Sequence, residues 1–120
     1  MTDKLILEKI ANTAKITINN PSANTWDLES LSGLEEIIKL LNQDDEIFAL
    51  VITGQGEKFF SAGADLKVFH EGGKEAAKEM SNAFSKAFDA LSKFRGVSIA
   101  AINGFAMGGG LECALACDIR

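Results

Sequence analysis

Apolar and polar residues alternate along Leu5–Ile10 and again along Ala14–Ile18, with Asn12-Thr13 between, which predicts two strands of an antiparallel hairpin. Asn19-Asn-Pro-Ser22 breaks the second strand. The period then becomes helical: Leu28, Leu31, Leu34, Ile37, Ile38 and Leu41 share one face, Asp27 is placed to cap the first turn, and Gln43-Asp-Asp-Glu46 ends the helix. Phe48–Thr53 and Val97–Ile102 are short, unbroken apolar runs rich in branched residues, the pattern of strands covered on both faces, and they predict a parallel pair. Between them, Lys74–Phe94 sets Ala77, Met80, Phe84, Ala87, Phe88, Leu91 and Phe94 on one stripe opposite lysines and acids. Gly72-Gly73 marks where that helix begins, and the alternation of strands with helices defines an α/β chain.

The run from Ser98 to Glu112 joins the last of these strands to a further helix through Gly108, Gly109 and Gly110. Without side chains over the first turn, the open helix N–H groups are accessible to an anionic or polarised oxygen, and the helix dipole favours negative charge there. Glu112 lies three residues after Gly109 on the same face and leans back toward the helix N-terminus, so a proton-transfer group overhangs the anion site. The same glycines also suit a helix packed close to a strand, with Glu112 as a first-turn acid. A second loop, from Gly54 to Asp65, holds Gly63 and leads into a short helical stretch near Leu66. Two such loops can face one pocket at the C-terminal ends of the strands, the usual ligand position in open α/β sheets.

The 120 residues suit one domain or part of one, and a domain of that size buries roughly two thirds of its unfolded surface. Net charge is −5 with both signs interspersed, which offers neither a basic patch for nucleic acid nor a polybasic membrane anchor. No apolar stretch approaches the roughly 20 residues of a membrane span, and the first residues lack the pattern of a signal peptide, so a cytoplasmic protein is expected. Cys113 and Cys117 stand four apart on one helix, poorly placed for a disulfide and too few for a metal, and are read as packing residues. His70 is read as a helix-end or surface residue, since nothing in the spacing joins it to Ser61 or Ser98 as a catalytic dyad. Gly54-Gln-Gly56 after a strand begins like a dinucleotide fingerprint, but Phe59 takes the place of the third glycine and no Gly-Lys-Ser/Thr follows.

Two segments carry a resemblance. Phe60-Ser-Ala-Gly-Ala-Asp-Leu-Lys67 and Ala101-Ile-Asn-Gly-Phe-Ala-Met-Gly-Gly-Gly-Leu-Glu-Cys-Ala-Leu-Ala-Cys-Asp118 resemble the two signature segments of the crotonase (enoyl-CoA hydratase/isomerase) superfamily, most closely bacterial enoyl-CoA hydratases. The likeness extends over nearly the whole chain, including Ile16–Pro21. It implies a crotonase-like ββα spiral, with residues 1–120 an N-terminal part of the acyl-CoA-binding core. It further implies an oxyanion hole made by the backbone N–H groups of Ala64 and Gly109 around the thioester carbonyl oxygen, and Glu112 as catalytic acid/base. CoA is implied to run along the backbone of Ala62, Gly63, Ala64, Asp65, Leu66 and Lys67 and past Gly108 and Gly109.

In the same likeness Asp65 supports Ala64 by capping the helix that follows, Lys67 is either a phosphate contact or a solvated helix-face lysine, and Met80 or Phe84 lines the acyl pocket. Asn24 matches an early asparagine near the CoA-binding turn, whereas Ser22 stands where the family often has a basic residue. The family's chains usually run to more than twice this length, and its hydratases carry a second glutamate well downstream. No cofactor or metal is implied beyond the CoA of the substrate; the implied partners are an acyl-CoA thioester and further copies of the chain, in trimers that pair into hexamers. Gly-Gly-Gly-Leu before Glu112 looks like a hydratase, with a delta-isomerase as alternative and a noncatalytic acyl-CoA-binding or assembly fragment as another.

Overall fold

The computed structural model describes the backbone of residues 1–120 and the side chains of residues 1–67 and 70–120. Strands β1 (Leu5–Ile10) and β2 (Thr13–Ile18) form the expected antiparallel hairpin, with Leu5 opposite Ile18 and Ile10 opposite Thr13, so the two-residue turn is Ala11-Asn12 and Thr13, expected in the turn, pairs as the first residue of β2. β3 (Ala49–Gly54) lies parallel to β2, and β5 (Val97–Ala100) lies parallel to β3, giving the sheet order β1-β2-β3-β5. Each parallel step needs a long crossover, and helices α1 (Leu28–Asn42) and α2 (Leu66–Ser92) supply them.

α1 starts where its chemistry dictates. The Asp27 carboxylate accepts from the Ser30 N–H at 2.9 Å, and the Ser30 hydroxyl accepts from the Asp27 N–H at 3.0 Å, a reciprocal cap that satisfies two otherwise open donors. Its apolar face, Leu31, Leu34, Ile37, Ile38 and Leu41, is fully buried against Ala14, Ile16 and Ile18 of β2 and Leu50 and Ile52 of β3 in one core. α2 adds Met80, Ala87 and Leu91 to that core, and Phe94, just past its C-terminus, joins them.

The expected short helical stretch near Leu66 and the helix from Lys74 are both present, joined within α2 at Gly73, whose φ of 64° breaks the helical path. Three expectations change. β5 ends at Ala100, before Ile102, and β3 starts at Ala49, leaving Phe48 outside it and exposed. Neither run is covered on both faces: Leu50, Ile52, Ser98 and Ala100 are buried while Val51 and Ile99 are half-buried, a difference that an unbroken apolar run does not encode. The loops after β3 and β5 also contain strands of their own, β4 (Phe59–Ser61) and β6 (Phe105–Ala106), paired in parallel as a second small sheet, and α3 (Gly109–Ala116) follows. No helix among the described residues is long and apolar enough to cross a membrane.

Candidate active site

The second small sheet brings the two glycine loops together. Phe105 N–H donates to Lys58 O at 2.9 Å, and Met107 N–H donates to Ser61 O at 3.0 Å. Glycine makes the remaining approach possible: a Cβ on Gly110 would lie 2.0 Å from Ser61 O, and one on Gly63 would lie 2.8 Å from Met107 O and 2.9 Å from Gly109 N. Gly63 and Gly108 also hold φ values of 98° and 52°, which side chains other than glycine's disfavour.

Two asparagines brace the loops from behind. Asn103 accepts from the Gly54 N–H at 2.9 Å and donates to Gly54 O at 2.9 Å, Gly56 O at 2.8 Å and Phe59 O at 3.3 Å. Buried Asn24 donates to Gln55 O at 3.1 Å and Phe59 O at 3.0 Å while accepting from the Asn20 N–H at 3.2 Å. Asn24 is thus a brace of the β3–β4 loop. Gly54 ends β3, and the chain runs through this braced turn into β4 rather than a helix, so the dinucleotide fingerprint lacks the helix N-terminus it requires.

A bridge to Trp26 decides which amide stays open. Trp26 N–H donates to Gly63 O at 2.7 Å and Asp65 N–H donates to Trp26 O at 2.9 Å, so Trp26 holds the peptide groups on both sides of Ala64. In a parallel bridge of this kind the middle residue's own N–H points away from the partner strand. Among the described residues neither the Ala64 N–H nor the Gly109 N–H has a hydrogen-bond partner, and Gly109 is the first residue of α3. Both residues line a cleft of about 380 Å³ together with Ser81, Phe84 and Glu112. Glu112 is exposed on the first turn of α3, its N–H donating to Gly108 O at 3.0 Å.

The other expected residues divide. Ala62 donates its N–H to Ala23 O at 2.9 Å, Gly63 is buried with its N–H on the Ser61 hydroxyl at 3.2 Å, and Asp65 caps α2 by accepting from the Lys67 N–H at 3.1 Å. Leu66 and Lys67 lie outside the cleft, exposed beside His70 and Glu71 along an open groove. Met80 is fully buried in the core and Phe84 lines the cleft. Cys113 and Cys117 are buried free thiols; burial pushes the Cys113 thiol well up and raises that of Cys117 to about 11. Asp118 accepts from the Ser98 N–H at 2.9 Å and ties the end of α3 to β5.

Sequence reasoning missed Ser81, Asn103 and Trp26. Ser81 lies three residues before Phe84 and thus on its helical face, which is the one sign it gave. Asn103 sits directly before a glycine inside the recognised segment and passes as a turn residue.

The cleft thus sets two open backbone donors beside one carboxylate at the strand ends of an α/β sheet, the usual ligand position in such folds. The chain belongs to the enoyl-CoA hydratase/isomerase family, whose model matches residues 8–120. It is 39% identical to the short-chain-enoyl-CoA hydratase of Clostridium acetobutylicum over 98% of this chain and 46% of that protein. Among solved structures, Pseudomonas aeruginosa DspI matches with a TM-score of 0.97 and 67% identity over 99% of this chain and 49% of that one. An enoyl-CoA hydratase from Bacillus anthracis matches at 0.95 and 32% identity over 98% and 46%. The fold is therefore that of the crotonase superfamily, and the chain spans about half the length of the curated relatives it matches.

Proposed function

We propose that this chain carries an enoyl-CoA hydration site, in which the Ala64 and Gly109 amides hold the thioester carbonyl oxygen of a 2-enoyl-CoA and Glu112 is the acid/base. The observation that carries this reading is the meeting of the two unpartnered amides with Glu112 in one cleft. As the oxygen of a water bonds to C3, the double-bond electrons move toward the thioester and leave enolate charge on its oxygen. Glu112 takes the proton that the water gives up and, as the acid, delivers a proton to C2, which completes the hydrated product and returns the carboxylate. Fixed amides answer the charge where it develops, and removing one such donor costs about 3 to 4 kcal/mol. Hydratases among the family relatives support this direction of chemistry, and a substrate carrying CoA accords with the family. Repeated copies of the chain, in trimers or hexamers, belong to the same reading.

The test is hydration of crotonyl-CoA, followed by loss of the conjugated thioester absorbance, by the chain and by Glu112→Gln, with binding of crotonyl-CoA and of free CoA measured alongside. A positioned acid/base contributes on the order of 100 to 10,000-fold, so the variant should lose that factor while keeping its preference for the thioester. Equal turnover by both proteins refutes Glu112. No turnover together with no preference for crotonyl-CoA over CoA refutes the site.

A further inference from the structure

The two open amides come from loops that follow different strands, and something must hold their separation while substrate enters and leaves. Backbone contact accounts for one side, where Gly63 abuts Gly109. The opposite side is aromatic. Trp26, whose backbone holds the peptides flanking Ala64, presents its fully buried indole to Phe88 with ring centroids 5.7 Å apart at 76°. Phe88 in turn meets Phe84 edge-to-face at 5.4 Å and 62°. The Phe84 ring then reaches Gly109 so closely that a Cβ there would lie 2.7 Å from its Cε1. Edge-to-face pairs constrain both distance and angle, which aliphatic packing does not. Among the described residues the buried indole Nε1–H has no partner, an unfavourable feature that a smaller apolar residue would avoid, so the size and shape of the ring are what this position uses.

We propose that Trp26, Phe88 and Phe84 form an aromatic strut that sets the spacing of the Ala64 and Gly109 amides, with Phe88 as a positioning residue that does not itself line the cleft. The inference rests on the reading of these amides as the carbonyl-binding pair. Substituting Phe88 by an aliphatic residue keeps apolar volume but removes both edge-to-face contacts, leaving the Gly109 side free to shift against the Ala64 side.

The experiment measures the carbonyl stretch of crotonyl-CoA, ¹³C-labelled at the thioester carbon, bound to the chain and to Phe88→Leu, Phe88→Met, Phe88→Tyr and Ala64→Pro, with melting temperature and affinity for free CoA recorded for each. Two amide donors should move the wild-type stretch to lower frequency. Phe88→Leu and Phe88→Met should lose most of that displacement at unchanged affinity for free CoA, and Phe88→Tyr, which keeps the ring, should retain it. If either aliphatic variant is folded and keeps the full displacement while Ala64→Pro loses it, the strut is wrong and the amide pair stands. If Ala64→Pro keeps it, or the wild-type chain shows none, the amide reading fails and the strut fails with it.

Discussion

Gly110→Ala sets two effects of opposite sign against each other. Gly110 is the second residue of α3, and alanine in a helix is favoured over glycine by about 0.5 to 1 kcal/mol, so helix propensity alone makes the variant more stable. The added Cβ, however, would stand 2.0 Å from Ser61 O and 2.7 Å from Ser61 C, both backbone atoms that no rotamer change moves aside. Relief requires α3 to withdraw from β4, which overpacked sites resist at about 1 to 3 kcal/mol. Withdrawal also strains the Met107 N–H bond to Ser61 O, a further loss of about 1 kcal/mol. The net expectation is destabilisation by about 1 to 3.5 kcal/mol, a fall in melting temperature of roughly 5 to 15 °C for a chain of this size. Equilibrium urea unfolding of the variant beside Gly56→Ala checks it. Gly56 has φ 89° but open space around it, so its variant carries only the left-handed strain of about 1 to 2 kcal/mol. A Gly110→Ala protein as stable as wild type or more so refutes the tight clasp between α3 and β4.

Asn103→Ala removes four carbonyl and amide contacts on the Gly54–Phe59 loop and leaves the Gly54 N–H unpaired, so unfolding free energy should fall by about 2 to 3 kcal/mol in a denaturant titration. Acid stability should show the Asp27 cap: burial pushes its carboxyl up, but the hydrogen bonds from Lys4 Nζ at 2.5 Å and from the Ser30 N–H outweigh it and hold the pKa below the ordinary aspartate value. A depressed folded-state pKa gives stability that is complete above the unfolded value and is lost as pH falls through the folded one, so Asp27→Asn, still a competent cap, should flatten the acid limb of a stability–pH curve. Buried Cys113 and Cys117, with thiols raised by burial, should react with iodoacetamide at neutral pH far more slowly in the native chain than in urea.

The periodic parts of the chain were legible because one physical rule governs each. Alternation set the hairpin and a 3.6-residue spacing set α1 and the core stripe of α2, and all of them lie where those patterns place them. β4 and β6 were not legible as strands, since three- and two-residue segments are too short to show a period and pair only because Asn103 and Gly104 bring them side by side. Within the cleft, Glu112 and the glycines stood out in the sequence, because a carboxylate is a proton-transfer group by type and glycine permits close backbone approach. Trp26 could not, because its part is played by backbone atoms that any residue possesses and by ring contacts with a helix some sixty residues away.

This difference bears on how the site tolerates change. In the proposed reading the groups that hold the carbonyl oxygen are peptide N–H donors, which side-chain substitution at Ala64 or Gly109 leaves chemically intact unless the newcomer is proline. What substitution alters is where those donors point, and that depends on Gly63 and Gly110 admitting close contact, on Asn24 and Asn103 holding the β3–β4 loop, and on Trp26 occupying the hydrogen bonds on either side of Ala64. A misaligned donor loses strength steeply as its angle falls, so under the proposed function a small rotation of either loop weakens carbonyl binding without removing any group from the cleft. Variants at these bracing positions should therefore separate from Glu112 variants: the former lose preference for the thioester over free CoA, and the latter keep that preference while losing turnover.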